Sequence, residues 1–192
     1  MKSLKLILVL LSIFLFTGCV VPKSNLEVSE KIHDNVKIID NRTEDKKERF
    51  RDGLFSPTVK LSDDTLSPTL INYFKYKLEL KTKELINKKL LVEIDELSVF
   101  DNFPERLNLL YISKGISYIH YENFEKFKDR DHILIHFKGK VNNENIDTSH
   151  AEIYRASIFS LSVYNDKEFK KALDKSFNII INKVISNLQP GG

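Results

Sequence analysis

Few residues in this chain could do chemistry, and the most informative of them is a cysteine near the amino terminus. Cys19 is the only cysteine among 192 residues, so neither an intramolecular disulfide nor a cysteine-based zinc site can form. A thiol with no structural partner is free to react as a nucleophile. The residues that precede Cys19 decide which reaction is expected.

The segment before Cys19 has the pattern of a secretory leader. Met1–Lys5 is short and basic, and the eleven residues from Leu6 to Phe16 are apolar except for Ser12. As a helix this run reaches about 16 Å, roughly half of a hydrocarbon core, so it is too short to span a bilayer. A signal peptide has these parts in this order. A buried or amphipathic core helix is the alternative, and the absence of a polar face argues against it.

The residues around Cys19 resemble a known motif. Phe16-Thr17-Gly18-Cys19 resembles the lipobox of bacterial lipoproteins, with Phe16 where leucine is more usual. The resemblance implies diacylglyceryl transfer to the Cys19 sulfur, cleavage between Gly18 and Cys19, and acylation of the new amino group. An unmodified signal peptide followed by an accidental cysteine is the alternative.

This implied anchor predicts a location. Three acyl chains on one residue would hold the protein at a membrane permanently, because each buried methylene contributes about 0.8 kcal/mol. In lipoproteins of bacteria with two membranes, aspartate after the cysteine tends to mean retention at the inner membrane, whereas Val20 stands here. We expect an outer-membrane protein with its domain in the periplasm, or an outward-facing cell-membrane protein if the organism has one membrane.

The charge composition argues against nucleic acid as a partner. Without the leader, residues 19–192 carry 28 basic and 27 acidic side chains, and 24 of the 30 basic residues in the whole chain are lysine. Nucleic-acid interfaces usually need clustered charge and arginine. We therefore expect the partners to be the membrane, through the anchor, and a protein of the envelope.

No familiar catalytic motif is present. The sequence has no glycine-rich phosphate loop, no Gly-x-Ser-x-Gly turn and no His-Glu-x-x-His pair, and the lipobox resemblance assigns the only thiol to lipid. Asp40 and Arg42, at the end of a predicted strand, are interpreted as an ion pair or loop cap. We expect a non-catalytic protein without a cofactor; a hydrolase with an unrecognised site is the alternative.

Three histidines could lie close together in a predicted hairpin. His132 and His136 share a face if their strand is regular, and His150 lies opposite His136 to within one residue of register. A metal site would need a third ligand, for which Glu152 is the only nearby choice. Cross-strand polar pairs on a solvated face explain the same residues, and we expect no metal.

An aromatic-rich segment, Phe103–Phe127, fits neither a helical nor a strand period throughout. Large aromatic rings supply contact area at a low entropic cost, so part of this segment is a hypothetical partner-binding patch. Its members are Tyr111, Tyr118, Tyr121, Phe124 and Phe127. The alternatives are that the segment covers an open face or edge of the sheet, or lies against lipid.

The remaining pattern predicts the elements that carry these residues. They are a strand at 36–40, a helix from Ser67 (N-cap) and Pro68 to about Lys88, a strand at 91–100, a hairpin of 132–141 and 146–155 with its turn at 142–145, and a helix starting at Asn165 with Glu168 in a capping position. Residues 20–35 are predicted to be a flexible tether. The alternative is that Leu26, Val28 and Ile32 dock on the domain as an edge strand.

Together these elements predict a two-layer α+β sandwich, with a mainly antiparallel four-stranded sheet and two helices on one face. The expected organisation is a signal peptide (1–18), a lipidated tether (19–35) and one domain (36–189). We expect a lipid-anchored binding or assembly module of the cell envelope. The alternative is an accessory subunit of an envelope transport or secretion complex.

Overall fold

The computed structural model describes residues 23–28, 35–51, 58–83, 89–103, 124–127, 130–155 and 167–186. Its strands are β1 (Ser24–Asn25), β2 (Val36–Asp40), β3 (Phe50–Arg51), β4 (Thr58–Lys60), β5 (Leu66–Ser67), β6 (Leu90–Asn102), β7 (His132–Val141) and β8 (Glu144–Ile153). Its helices are α1 (Glu44–Lys47), α2 (Leu70–Thr82), α3 (Phe124–Phe127) and α4 (Lys167–Ser186). The expected leader and Cys19 lie outside the described residues.

Six of these strands form one mixed sheet around β6. The strand order is β3-β4-β6-β7-β8, and β2 also pairs with β6. β2 runs parallel to Leu90–Ile94, whereas β4 runs antiparallel to Phe100–Asn102. Because β7 occupies one edge of β6, β2 and β4 must share the other edge.

The expected α+β class is confirmed, but the expected four-stranded, mainly antiparallel sheet is wrong. The sheet is mixed because α2 lies between β2 and β6 in the chain, and a helical crossover returns the chain to the end of the sheet where it started. The short strands β3 and β4 extend the sheet beyond the predicted four. Neither of these short strands has an alternating pattern long enough to predict.

The hydrophobic core lies between this sheet and the two long helices. Phe137 of β7 stacks on Phe74 of α2, with ring centroids 5.2 Å apart, and Tyr73 of α2 meets Phe177 of α4 edge-on at 5.1 Å. The predicted apolar stripe of α4 is confirmed for its buried members Phe169, Leu173, Phe177, Ile180, Ile181, Val184 and Ile185. Leu188 lies outside the described residues.

The start of α2 differs from the prediction. Ser67 is not the N-cap; it belongs to β5, and its carbonyl oxygen accepts a hydrogen bond of 2.8 Å from the Leu26 backbone N–H. This pairing keeps Ser67 extended, so the helix begins after Thr69 instead. The predicted core positions Leu70, Phe74 and Leu78 are buried, and the expected extension to Lys88 lies outside the described residues.

The segment just after the expected anchor is docked on the domain. β1 pairs in parallel with β5, Ser24 opposite Leu66, and Ser24 is fully buried. Leu26 packs against the core, whereas Val28 is exposed. The expected flexible tether is therefore wrong for residues 23–28, because their backbone and one apolar side chain find partners on the domain. The docking alternative holds for Leu26; Ile32 lies outside the described residues.

The β7–β8 hairpin is confirmed, with a shorter turn than predicted. Only Asn142 and Asn143 form the turn, and both have positive φ, 49° and 72°. Asparagine tolerates this conformation and a two-residue turn of this kind matches the twist of the strands. The turn is tied to β6 by two hydrogen bonds between Asn142 and the Leu91 backbone, 2.9 and 3.0 Å long.

A β-bulge in β6 requires a close approach between strands. The register with β7 shifts between Ile94 and Glu96, which leaves Asp95 as the extra residue. Gly139 lies opposite Ile94, and a Cβ atom there would be 2.1 Å from the Glu93 carbonyl oxygen. Only glycine fits this position without a backbone shift.

We expect Gly139→Ala to lower the free energy of unfolding by about 1–3 kcal/mol, the usual cost of overpacking. The measurement is chemical denaturation followed by circular dichroism. Lys140→Ala, at the exposed neighbouring position on β7, is the matched control and should change stability little. Equal stability of the two variants would contradict the close approach.

Candidate functional site

A cleft, a concave surface with converging polar groups, lies beside β1. Its volume is about 550 Å³. One wall is Asn25, Leu26 and Glu27, the end of the docked amino-terminal segment, and the other wall is contributed by α2 and α4. The cleft therefore exists because β1 pairs with β5 and holds residues 25–27 against the helices.

A hydrogen-bonded cluster centred on Asp174 forms the helical wall. The Asp174 carboxylate of α4 accepts a short hydrogen bond from the Tyr73 hydroxyl of α2. It also accepts from Lys77 Nζ at 2.5 Å and from Asn178 Nδ2 at 3.1 Å. The Lys77 ammonium lies 5.5 Å from the centroid of the Tyr73 ring. This cluster joins the two helices beside the cleft, with Tyr73 and Asp174 lining it.

The protonation states of this cluster follow from its contacts. Burial alone would raise the pKa of Asp174, but the hydrogen bonds and charge of Lys77, together with the donors Tyr73 and Asn178, lower it overall. Burial and the bond to Asp174 raise the pKa of the Tyr73 phenol far above its usual value. Asp174 is thus an ionised acceptor and Tyr73 a neutral donor near neutral pH.

Three lysines of α4 line the rest of the cleft. Lys167, Lys170 and Lys171 follow the three- and four-residue spacing that places side chains on one face of a helix. Within the described part of the chain, none of the three has a carboxylate at ion-pair distance. The nearby Lys77 and Lys175 do have one, at 2.5 Å to Asp174 and 2.7 Å to Glu152. Glu27 is the acidic residue of the opposite wall.

Charge is separated between the two layers of the domain. The helices α2 and α4 contain eight lysines and three acidic residues, whereas the strands β6, β7 and β8 contain seven acidic residues and two lysines. The net charge is thus +5 on these helices and −5 on these three strands. With β2, β3 and β4, which add three basic residues and Asp40, the whole sheet carries −3. The near-neutral total hides this asymmetry, and the lysine-lined cleft lies on the positive layer.

The predicted Asp40–Arg42 ion pair is present and has a third member. Arg42 is fully buried and contacts Asp40 at 2.8 Å through Nε and Asp63 at 2.7 Å through Nη2. Its Nη1 also donates to the Leu97 carbonyl oxygen of β6 at 3.2 Å. Burial alone would raise the pKa of Asp40, but the bonds from Arg42 lower it overall. This arrangement holds the sheet together, with the guanidinium buried and both partly exposed carboxylates bound to it.

The three histidines do not come together. His136 pairs with Ser149, and His150 with Ile135, so His136 and His150 point to opposite faces of the sheet. His136 contacts Glu96 at 3.2 Å and Asp147 at 2.8 Å across the solvated face, as the polar-pair alternative describes. His132 is buried, which lowers its pKa, with Nδ1 2.7 Å from the Arg130 carbonyl oxygen. His150 lies 3.4 Å from Glu152 on the helix-bearing face.

The aromatic patch is described only at its end. Phe127 is buried, with its ring centroid 5.5 Å from that of His132, so this residue does not fit the expected exposed binding surface. Its ring instead packs beside His132, the first residue of β7. The predictions for Tyr111, Tyr118 and Tyr121 lie outside the described residues, and the Phe124 side chain is likewise not described.

Among the described residues, no helix is both long and apolar enough to cross a membrane. No group of three metal-ligating side chains occurs in the same ranges. No family model, no curated protein and no solved structure matches the chain.

We expect Arg42→Met to lower the free energy of unfolding by about 3 kcal/mol, because it leaves Asp40 and Asp63 without their shared cation. Chemical denaturation checks this value. Arg49→Met, which changes an exposed arginine seven residues further along the chain, should change stability little. An equal loss of unfolding free energy in both variants would show that the Arg42 contacts stabilise the domain no more than an exposed arginine does.

We expect Tyr73→Phe to raise the pKa of Asp174 toward its ordinary 3.8, because one donor to the ionised carboxylate is lost. Stability contributed by ionised Asp174 is complete above 3.8 and is lost as the pH falls through its lower folded-state pKa. Carboxyl carbon NMR titration measures the shift. Tyr154→Phe, which removes a similar bond to Asp101, should leave the Asp174 titration unchanged.

Proposed function

We propose that this chain is a lipid-anchored lipoprotein of the cell envelope whose domain works as a non-catalytic binding or assembly module directly at a membrane surface. The lipobox-like residues at 16–19 support the anchor. The docking of β1 supports the position, because Ser24 lies only five residues after Cys19 and is already paired with Leu66 of the domain.

Chain length sets how far such a domain could stand from its anchor. A fully extended chain covers at most about 3.6 Å per residue, so five residues reach no more than about 18 Å. If the free segment ran from Cys19 to Val36, the reach would be about 60 Å by the same rule. Docking of β1 therefore turns a long-range tether into a short one, and a short tether gives a high local concentration at the bilayer.

The chemistry of the cleft supports binding over catalysis. A general base that works near neutral pH needs a raised carboxyl pKa and a free lone pair, whereas the pKa of Asp174 is lowered and its carboxylate accepts from three donors. The raised pKa of Tyr73 keeps its phenol neutral. Lys167, Lys170 and Lys171, which line the same wall, are suited to holding negative charge.

The proposed location is the outer membrane with the domain in the periplasm, since Val20 follows the cysteine where aspartate would favour the inner membrane. In an organism with a single membrane, the same anchor would place the domain on the outer side of the cell membrane.

Cys19→Ser tests the anchor. The natural product should begin at Cys19 and carry the mass of the acyl chains, whereas the variant should keep its leader and carry no lipid, because a hydroxyl cannot replace the thiol in the thioether. Intact-mass spectrometry of protein purified from membranes measures both the cleavage of the leader and the added mass of the lipid. Thr17→Ser, which keeps a small residue before Gly18, is the control and should be processed normally.

A natural product that retains Met1, or whose mature amino end carries no lipid, would overturn the proposal. Crosslinking in native membranes then separates a general module from an accessory subunit. We expect contacts spread over lipid and wall components, and one dominant partner at fixed stoichiometry would favour the accessory subunit of a transport or secretion complex.

A further inference from the structure

The lysine-lined cleft lies where the chain leaves the domain toward Cys19. Its wall residues Asn25, Leu26 and Glu27 directly follow β1, the segment that fixes the distance to the expected anchor. A bilayer held by Cys19 would thus be within about 22 Å of Asn25 and about 29 Å of Glu27, by the length of the intervening chain. The cleft is closer to the anchor in sequence than any other described concave surface.

The positive charge of the cleft favours a negatively charged ligand. Lys167, Lys170 and Lys171 line the cleft, and none of them has an ion-pair partner among the described residues, so their positive charge complements an anion. Asp174 is compensated by Lys77 at 2.5 Å. Among the described residues, Glu27 and Glu168 are the other acidic groups near these lysines, so the described part of this surface is net positive.

The separation of charge between the helical and sheet layers favours one orientation of the domain at a charged surface. Lysine predominates on α2 and α4, whereas acidic residues predominate on β6, β7 and β8. An anionic bilayer would attract the helical layer and repel the sheet layer, and each lysine near such a surface changes the equilibrium about fivefold. Three lysines together would favour this orientation on the order of 100-fold.

We propose that the cleft formed by Asn25–Glu27 and the Lys167–Lys171 turn of α4 docks on the phosphate groups of anionic phospholipids, so that the anchored domain lies with the amino-terminal end of α4 against the bilayer. This inference rests on the proposed lipid anchor. Lys167, Lys170 and Lys171 bind headgroup phosphates, and the sheet faces away from the membrane.

The test uses the natural lipidated protein in two kinds of vesicle, one of phosphatidylcholine alone and one with part of it replaced by phosphatidylglycerol. Amide hydrogen exchange is followed by mass spectrometry at residues 23–28 and 167–171. The first amides of α4 are suitable reporters, because the first four N–H groups of a helix lack intrahelical partners and exchange readily. We expect exchange at both segments to slow at least about fivefold on the anionic vesicles.

Two charge-matched variants identify the contact. Replacement of Lys167, Lys170 and Lys171 by glutamine should abolish the difference between the vesicles. Replacement of Lys37, Lys138 and Lys140, three exposed lysines of the sheet, removes the same charge and should leave the difference intact. Loss of the difference in both variants would show an unspecific charge effect and overturn the docking site.

Flotation with the vesicles separates this inference from the proposed function. A protein that floats with both vesicles but exchanges identically on them keeps its anchor and refutes the docking surface. A protein that floats with neither and carries no lipid mass refutes the anchor itself. If inorganic phosphate slows exchange equally on phosphatidylcholine vesicles, the cleft binds a soluble anion and membrane docking is wrong.

Discussion

The sheet depends on the hydrogen bonds made by the edge of β6 that pairs with both β2 and β4. β2 and β4 occupy the two ends of this edge, and the stretch between them would expose unpaired backbone carbonyl groups. Arg42 donates to the Leu97 carbonyl oxygen at 3.2 Å and Lys46 donates to that of Asp95 at 3.0 Å. Two side chains thus replace a missing strand, and Asp40 and Asp63 hold the buried guanidinium in place. An unpaired buried carbonyl group is costly. The edge of β6 can therefore change its partner strand from β2 to β4 because Arg42 and Lys46 bond the carbonyl groups between them.

A second constraint connects the fold to the proposed membrane position. The pairing of β1 with β5 is only two residues long, yet it fixes where the chain enters the domain and builds one wall of the cleft. The opposite wall needs α2 and α4 side by side, which the Tyr73–Asp174 bond and the Tyr73–Phe177 contact provide. The cleft therefore lies at the junction of the amino-terminal segment and both long helices. Its lysines belong to α4, which the two Tyr73 contacts hold beside α2.

The parts of the fold that local patterns specify could be predicted from the sequence. The 3.6-residue period of α4 and the alternation of β7 reflect burial against a single surface, so each can be identified without knowing the neighbours. Ser67 shows the opposite case, because its good capping chemistry is overridden by a hydrogen bond from Leu26, 41 residues earlier. The histidine hypothesis depended on the β7–β8 register, because a shift of one residue moves His150 to the other face of the sheet. Asn142 and Asn143 set that register by making a two-residue turn. In the cleft, the spacing of Lys167, Lys170 and Lys171 is visible in the sequence, whereas the bond between Tyr73 and Asp174 joins residues 101 apart and has no local signal.

The opposite charges of the helical and sheet layers give the described part of the domain an electric dipole despite the small net charge of the chain. A uniform field exerts a torque on a dipole but hardly any net pull, so a charged surface would rotate this domain more effectively than it would attract it. For a molecule already moored by other means, rotation is the degree of freedom that remains. Dissolved ions weaken this alignment over a Debye length of about 8 Å at physiological ionic strength, so only a surface nearly in contact with the lysines could impose it.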